Sequence, residues 1–104
     1  MITDIEETQA RFLKCIGDPT RLQILKLLVD GEKCVSEIIG SVQREQSLVS
    51  HHLKALKDCN VVVSRHEAKK IYYKLADPKI ADIVSASAAL LNRLILCQPG
   101  KCCD

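Results

Sequence analysis

Apolar residues fall at helical spacing from the N-terminus to about residue 58, alternate once between 61 and 75, and return to helical spacing beyond Pro78. The first helix is expected over 4–16, capped by Thr3 or Asp4, with Glu6 and Glu7 in the first turn where the helix dipole favours negative charge. Gly17-Asp18-Pro19 breaks it and starts a second helix, Asp18 as cap and Pro19 in the first turn. Over 19–29, Leu22, Leu25, Leu28 and Val29 form the core stripe, broadened by Ile24 and Leu27, and Asp30-Gly31-Glu32 ends it. A short third helix over 35–42 turns Val35, Ile38, Ile39 and Val42 inward. After the polar link Gln43-Arg44-Glu45-Gln46, a fourth helix over 47–58, with Ser47 as cap, sets Val49, Leu53 and Leu56 on one face at i, i+4, i+7.

Beyond Asp58-Cys59-Asn60 the period becomes 2. Val61–Arg65 and Lys70–Leu75 are rich in β-branched and aromatic residues and read as two strands, with His66-Glu67-Ala68-Lys69 as the tip. The tip lacks an Asn-Gly or Gly-Gly pair, so its turn type stays open. Ala76-Asp77-Pro78 opens a last helix over about 78–97 carrying Ile80, Ile83, Val84, Ala88, Leu91, Leu94 and Ile95. Small residues at 85–89 permit close helix approach, and an exposed apolar helix at the chain end suits a dimer seam. The expected fold is mainly α with a small β-hairpin, a winged helix-turn-helix of order α-α-α-α-β-β-α. Residues 1–96 are expected to form one winged helix-turn-helix domain suited to DNA binding and dimerisation, with 97–104 a cysteine-rich tail.

The outward face of the fourth helix carries Gln46, Ser47, Ser50, His51, Lys54 and Lys57. Hydroxyl, amide and imidazole groups can reach base edges, while lysines neutralise phosphates. Arg65, His66, Lys69 and Lys70 of the hairpin are placed to follow phosphates or a minor groove, and Arg65, Lys69 and Lys70 join the DNA-contacting set. The net charge of +2 decides nothing, but its distribution does. Residues 44–74 hold seven Lys/Arg against three Asp/Glu, whereas 1–43 hold five against seven. Positive potential therefore gathers on the fourth helix and the hairpin, as a nucleic-acid footprint requires. A chain of 104 residues allows one modest core, which dimerisation would supplement. The acidic start lacks an apolar segment and no run is long enough to span a bilayer, so a cytoplasmic protein without membrane contact is expected. No Cys-x-x-Cys, His-Glu-x-x-His or Gly-rich phosphate loop suggests an enzyme.

Three segments carry a resemblance: Gly17-Asp18-Pro19-Thr20-Arg21-Leu22-Gln23-Ile24-Leu25, Ser47-Leu48-Val49-Ser50-His51-His52-Leu53-Lys54-Ala55-Leu56, and Lys70-Ile71-Tyr72-Tyr73-Lys74-Leu75. In this order and spacing, across about residues 10–96, the chain resembles the ArsR/SmtB family of metal- and metalloid-responsive winged-helix repressors. The resemblance implies a homodimer through the first and last helices, a recognition helix at 47–58, and repression of an operator relieved by an inducer. The family's third-helix arsenite site has two thiols; here Cys34 stands at the first position and Ser36 at the second. Its last-helix zinc site needs histidines, and none follows His66. Its cadmium/lead type takes two recognition-helix thiols and one from the tail; Cys59 matches the second, and Ala55 stands at the first.

Six cysteines in a reducing compartment point to ligands, sensors or core fillers rather than to a disulfide framework. Pro99-Gly100 is a turn signal that can bring Cys102 and Cys103 back toward Cys97. Three converging thiolates suit As(III) or Sb(III), and soft sulfur donors also suit Cd(II), Pb(II) and other thiophilic ions. Lys101 favours thiolate over thiol. Cys97, Cys102 and Cys103 are thus the first metal-site candidates, with Cys34 and Cys59 behind them and Cys15 read as a core filler. A thiol-redox switch between Cys97 and Cys102 or Cys103 is the alternative use of the same tail. His52 is expected to pack or bond under the fourth helix, and His51 to face outward.

Overall fold

Aspartate followed by proline starts two of the helices. Asp18 and Asp77 are extended residues whose carboxylates accept backbone N–H groups of the first turn: those of Thr20 (2.9 Å) and Arg21 (3.1 Å), and that of Lys79 (2.8 Å). The computed structural model describes residues 4–94. Their order is α1 (Asp4–Ile16), α2 (Pro19–Val29), β1 (Lys33–Cys34), α3 (Val35–Val42), α4 (Gln46–Asp58), β2 (Val62–Glu67), β3 (Lys70–Leu75) and α5 (Pro78–Arg93). The mainly helical, winged helix-turn-helix expectation is met. Residues 95–97, the expected end of the last helix, lie outside the described residues.

The helix α2 is the inner one, packed by α3, α4, α5 and β3. Ile24, Leu25 and Leu28 are buried in it, and they meet Ile38 and Val42 of α3, Val49, Leu53 and Leu56 of α4, Val61, Val62, and Ile80 and Val84 of α5 in one core. Two details depart from the pattern reading. Ile24, expected at the margin of the stripe, is fully enclosed, whereas Val29 is exposed because α2 ends there at Asp30. The cap of α4 is Glu45 rather than Ser47, and its side chain makes no capping bond, so α4 starts on the strength of its buried face.

The hairpin is longer and its sheet wider than the alternation predicts. β2 starts at Val62 and runs to Glu67, paired antiparallel with β3 from Val62↔Leu75 to Glu67↔Lys70, which leaves only Ala68 and Lys69 for the turn. Ala68 takes φ 56°, a left-handed conformation that glycine or asparagine adopts more cheaply. Lys33 and Cys34 pair with Tyr73 and Tyr72 as a third, edge strand, giving the order β1-β3-β2. Two residues are too few to show an alternation, and β1 exists because β3 offers an unpaired edge. Among the described residues no helix is long and apolar enough to cross a membrane.

Candidate nucleic-acid interface

Two short helices joined by a tight turn position the recognition face. Gln43 closes α3 in a left-handed conformation, its N–H donating to Ile39 O (3.1 Å), and the chain re-enters helix at Gln46. From there the sides of α4 separate cleanly. Val49, His52, Leu53 and Leu56 are buried, and Gln46, Ser47, Ser50, His51, Lys54 and Lys57 are all exposed. A groove of about 770 Å³ runs between α3, α4 and the wing, with Gln46 and Ser50 on one wall and Lys69 and Lys70 on the other. The structure thus brings recognition-helix and wing candidates onto one side.

Arg65 is placed differently. Arg65 pairs with Tyr72 across the hairpin and is not among the residues that line the groove. Its guanidinium donates twice to Glu32 (Nε to Oε2, 2.9 Å; Nη2 to Oε1, 2.7 Å), meets Glu67 at 3.2 Å, and stacks 4.5 Å over the Tyr72 ring. These bonds hold the Glu32 carboxyl below its usual range. Arg65 therefore ties the wing to the segment before β1. No local pattern announces this, since Glu32 lies 33 residues upstream.

The underside of α4 holds a polar cluster whose arginine the pattern reading did not assign. Arg21 Nε donates to His52 Nδ1 (3.0 Å), and Arg21 Nη1 donates to Cys15 O (3.1 Å) and reaches Cys15 Sγ (3.7 Å). His52 Nε2 lies 3.8 Å from Asp18 Oδ2. An Nδ1 that accepts from a guanidinium fixes the neutral tautomer with its proton on Nε2, toward Asp18. Burial holds the His52 pKa below its ordinary value, with Asp18 opposing and Arg21 and His51 reinforcing the shift. The Asp18 carboxyl is itself held low, chiefly by the backbone N–H of Arg21. One cluster therefore joins the end of α1, the start of α2 and the middle of α4. Asp18-Pro19-Thr20-Arg21 and His51-His52 are its sequence traces.

The described cysteines belong to different elements, Cys15 to α1, Cys34 to β1 and Cys59 to the end of α4. Cys34 is buried, its Sγ 3.2 Å from Ser36 Oγ, so the two positions of the family's third-helix site meet with one thiol and one hydroxyl. Cys59, at the C-cap of α4, is exposed. Cys15 is buried, and burial first, then its contact with the Cys59 thiol, push its pKa up to about 11. Among the described residues no three His, Cys, Asp or Glu side chains converge to hold a metal ion. Cys97, Cys102 and Cys103 lie outside the described residues.

Residues 18–64, which include Asp18, Arg21 and His52, the helix-turn-helix and the start of the first wing strand, match the model of the bacterial regulatory protein, arsR family. Over 84 residues the chain is 38% identical to a probable mercury resistance operon repressor of Streptomyces lividans, covering 81% of this chain and 67% of that protein. The chain belongs to the ArsR family. A second relative of this ArsR-family chain is the arsenical resistance operon repressor of Staphylococcus xylosus, 35% identical over 80 residues, 77% of this chain and 76% of that one. Its fold matches the solution NMR structure of a homodimeric winged helix-turn-helix DNA-binding domain from Mycobacterium bovis, a possible ArsR-family transcriptional regulator. The TM-score is 0.78 at 28% identity, over 89% of this chain and 90% of that one. The named relatives are transcriptional regulators rather than enzymes.

Proposed function

We propose that this ArsR-family chain is a homodimeric repressor that binds double-stranded operator DNA and leaves it when a thiophilic ion is captured. The observation that carries the DNA reading is the division of α4. Every side chain expected to meet DNA points outward, every core residue points inward, and Lys69 and Lys70 stand across the groove. Two such helices enter successive major grooves about 34–36 Å apart on an imperfect palindrome. Lys54, Lys57, Lys69 and Lys70 supply phosphate contacts, while Arg65 holds the wing. Ile5 and Leu13 of α1 and Leu90, Leu91 and Leu94 at the end of the chain's described part expose apolar surface that a second protomer would cover. The Mycobacterium bovis structure, which is homodimeric, supports dimerisation.

The inducer we propose is As(III) or Sb(III), held by Cys97, Cys102 and Cys103. The relatives' names, a mercury and an arsenical resistance repressor, support a thiophilic ion. Binding lowers DNA affinity only to the extent that the ion prefers the DNA-free form. Fluorescence anisotropy of reduced protein on its own promoter fragment tests the reading. Arsenite should release the wild type, and Cys102→Ser/Cys103→Ser should bind DNA equally yet ignore arsenite. Full release in the double variant would refute the tail site. Release by Cd(II) or Pb(II) alone would move the ion to Cys59 with the tail, release by a mild oxidant alone would make the tail a redox sensor, and absence of DNA binding would end the repressor reading.

A further inference from the structure

The groove between α3, α4 and the wing carries apolar surface that a phosphate backbone does not use. Val35 and Ile39 of α3 and Ile71 and Tyr73 of β3 line it half-buried, together with the buried Leu53 of α4. Tyr73 lies in the middle strand, paired with Lys33 on one side and Ser64 on the other, so this wall is formed before anything binds. On α3, Gly40 also lines the groove, and a Cβ there would meet nothing beyond its own helix turn within 4 Å. The charged side chains of the lining, Lys69 and Lys70, are both cationic. Carboxylates near Lys70 are engaged elsewhere. Glu67, opposite Lys70 in the hairpin, meets Arg65 at 3.2 Å, and Glu37 accepts the Cys34 N–H (3.0 Å).

We propose that this groove binds an amphipathic organic anion, an aromatic body bearing a carboxylate or sulfonate, and that its occupant and DNA exclude one another. The volume of about 770 Å³ falls within the roughly 300–1,000 Å³ of small-molecule sites, which combine apolar walls with a few placed polar groups. The body covers the aliphatic side chains and gives the Tyr73 ring an aromatic partner. The anionic end meets Lys69 and Lys70 in charge-assisted bonds. Charge complementarity thus selects an anion over a neutral molecule, and the apolar wall selects an organic anion over inorganic phosphate. Exclusion follows from shared groups, because Gln46, Ser50, Lys69 and Lys70 line the groove and are the same side chains proposed to meet DNA. Exclusion therefore rests on the repressor reading, whereas binding of the anion does not. Release of DNA by this route needs neither a thiol nor a change in the placement of the two recognition helices.

The probe is anilinonaphthalene sulfonate, whose fluorescence rises in apolar surroundings, and its comparator is phenylnaphthylamine, the same body without the sulfonate. Both are titrated into the reduced full chain in the absence of DNA. Lys69→Gln/Lys70→Gln should weaken the sulfonate by about tenfold or more and leave the neutral comparator unchanged. Gly40→Leu should weaken both probes, because its side chain would occupy the groove. All three positions are exposed, so the variants leave the core intact. Sulfonate affinity equal in the wild type and both variants would put the probe on other apolar surface, such as the exposed leucines of α5, and overturn the site. Equal loss of both probes in the lysine variant would overturn recognition of the anion. Operator DNA added to probe-loaded protein should displace the sulfonate, and a protein that holds both at once would overturn the exclusion. Failure to bind DNA would tell against the repressor reading alone, since the probe comparisons are made without DNA.

Discussion

The bond between Arg21 and His52 should stabilise the recognition helix by an amount a double-mutant cycle can read. His52 is 9% exposed and its Nδ1 accepts at 3.0 Å from a guanidinium, a charge-assisted bond worth about 1.5–3 kcal/mol when enclosed. Arg21→Met leaves His52 Nδ1 and Cys15 O without this donor, and His52→Leu leaves Arg21 Nε without its acceptor. Each single change should cost about 2–3 kcal/mol, since a partly buried group is left unsatisfied. The double variant leaves fewer orphans, so its cost should fall short of the sum by about 1–2 kcal/mol. The assay is urea unfolding at one fixed chain concentration, because association would otherwise shift the midpoint. Additivity within about 0.5 kcal/mol would refute the reasoning. The pH dependence gives a second reading. A histidine whose folded pKa is depressed contributes stability that is complete above its ordinary value of 6.5. As pH falls from there, the unfolded chain takes up a proton that the folded chain refuses, so stability declines until the folded pKa is passed and then levels off. His52→Asn, whose amide oxygen can still accept from Arg21, should keep most of the stability and flatten that decline.

Three further outcomes follow from the wing. With four phosphate-contacting lysines in each of two protomers, log affinity for operator DNA should fall with log salt at a slope of about −7, and Lys70→Gln should make it shallower by about 2 per dimer. Arg65→Gln should leave that slope nearly unchanged while lowering stability only slightly, because its charge is already matched by Glu32 and Glu67; salt titration of anisotropy separates the two. Ala68→Gly should raise thermal stability by about 0.5–1 kcal/mol, since glycine relieves the positive φ of the turn; a lower midpoint in differential scanning calorimetry would contradict it.

Local signals made most of this fold readable. Asp18-Pro19 and Asp77-Pro78 mark helix starts by cap chemistry that acts within three residues, and the bounds of α1, α2 and α3 follow from them and from the apolar period. The split faces of α4 were legible for the same reason, because a helix fixes which residues share a side. What the pattern could not carry was contact between distant segments. Arg65 looks like any basic wing residue until Glu32 is placed beside it, and Arg21 has no visible task until α4 lies across α2 with His52 pointing down. The strand β1 is shorter than the alternation that would announce it, and the two-residue turn at Ala68 lacks the glycine or asparagine that normally marks one.

The way the wing is rooted has a consequence for how fast and how tightly a hairpin can engage a ligand. A bare two-stranded ribbon is marginal in water and samples many shapes. Here a short edge strand pairs on one side of β3, β2 pairs on the other, and the Arg65–Glu32 pair anchors the outer face. Lys69 and Lys70 are thereby presented on a pre-organised base, and the backbone entropy that a loose ribbon would lose on contact has already been lost on folding. Differences in affinity among operators should then lie in how well the DNA fits a fixed wing, rather than in how readily the wing adapts to the DNA.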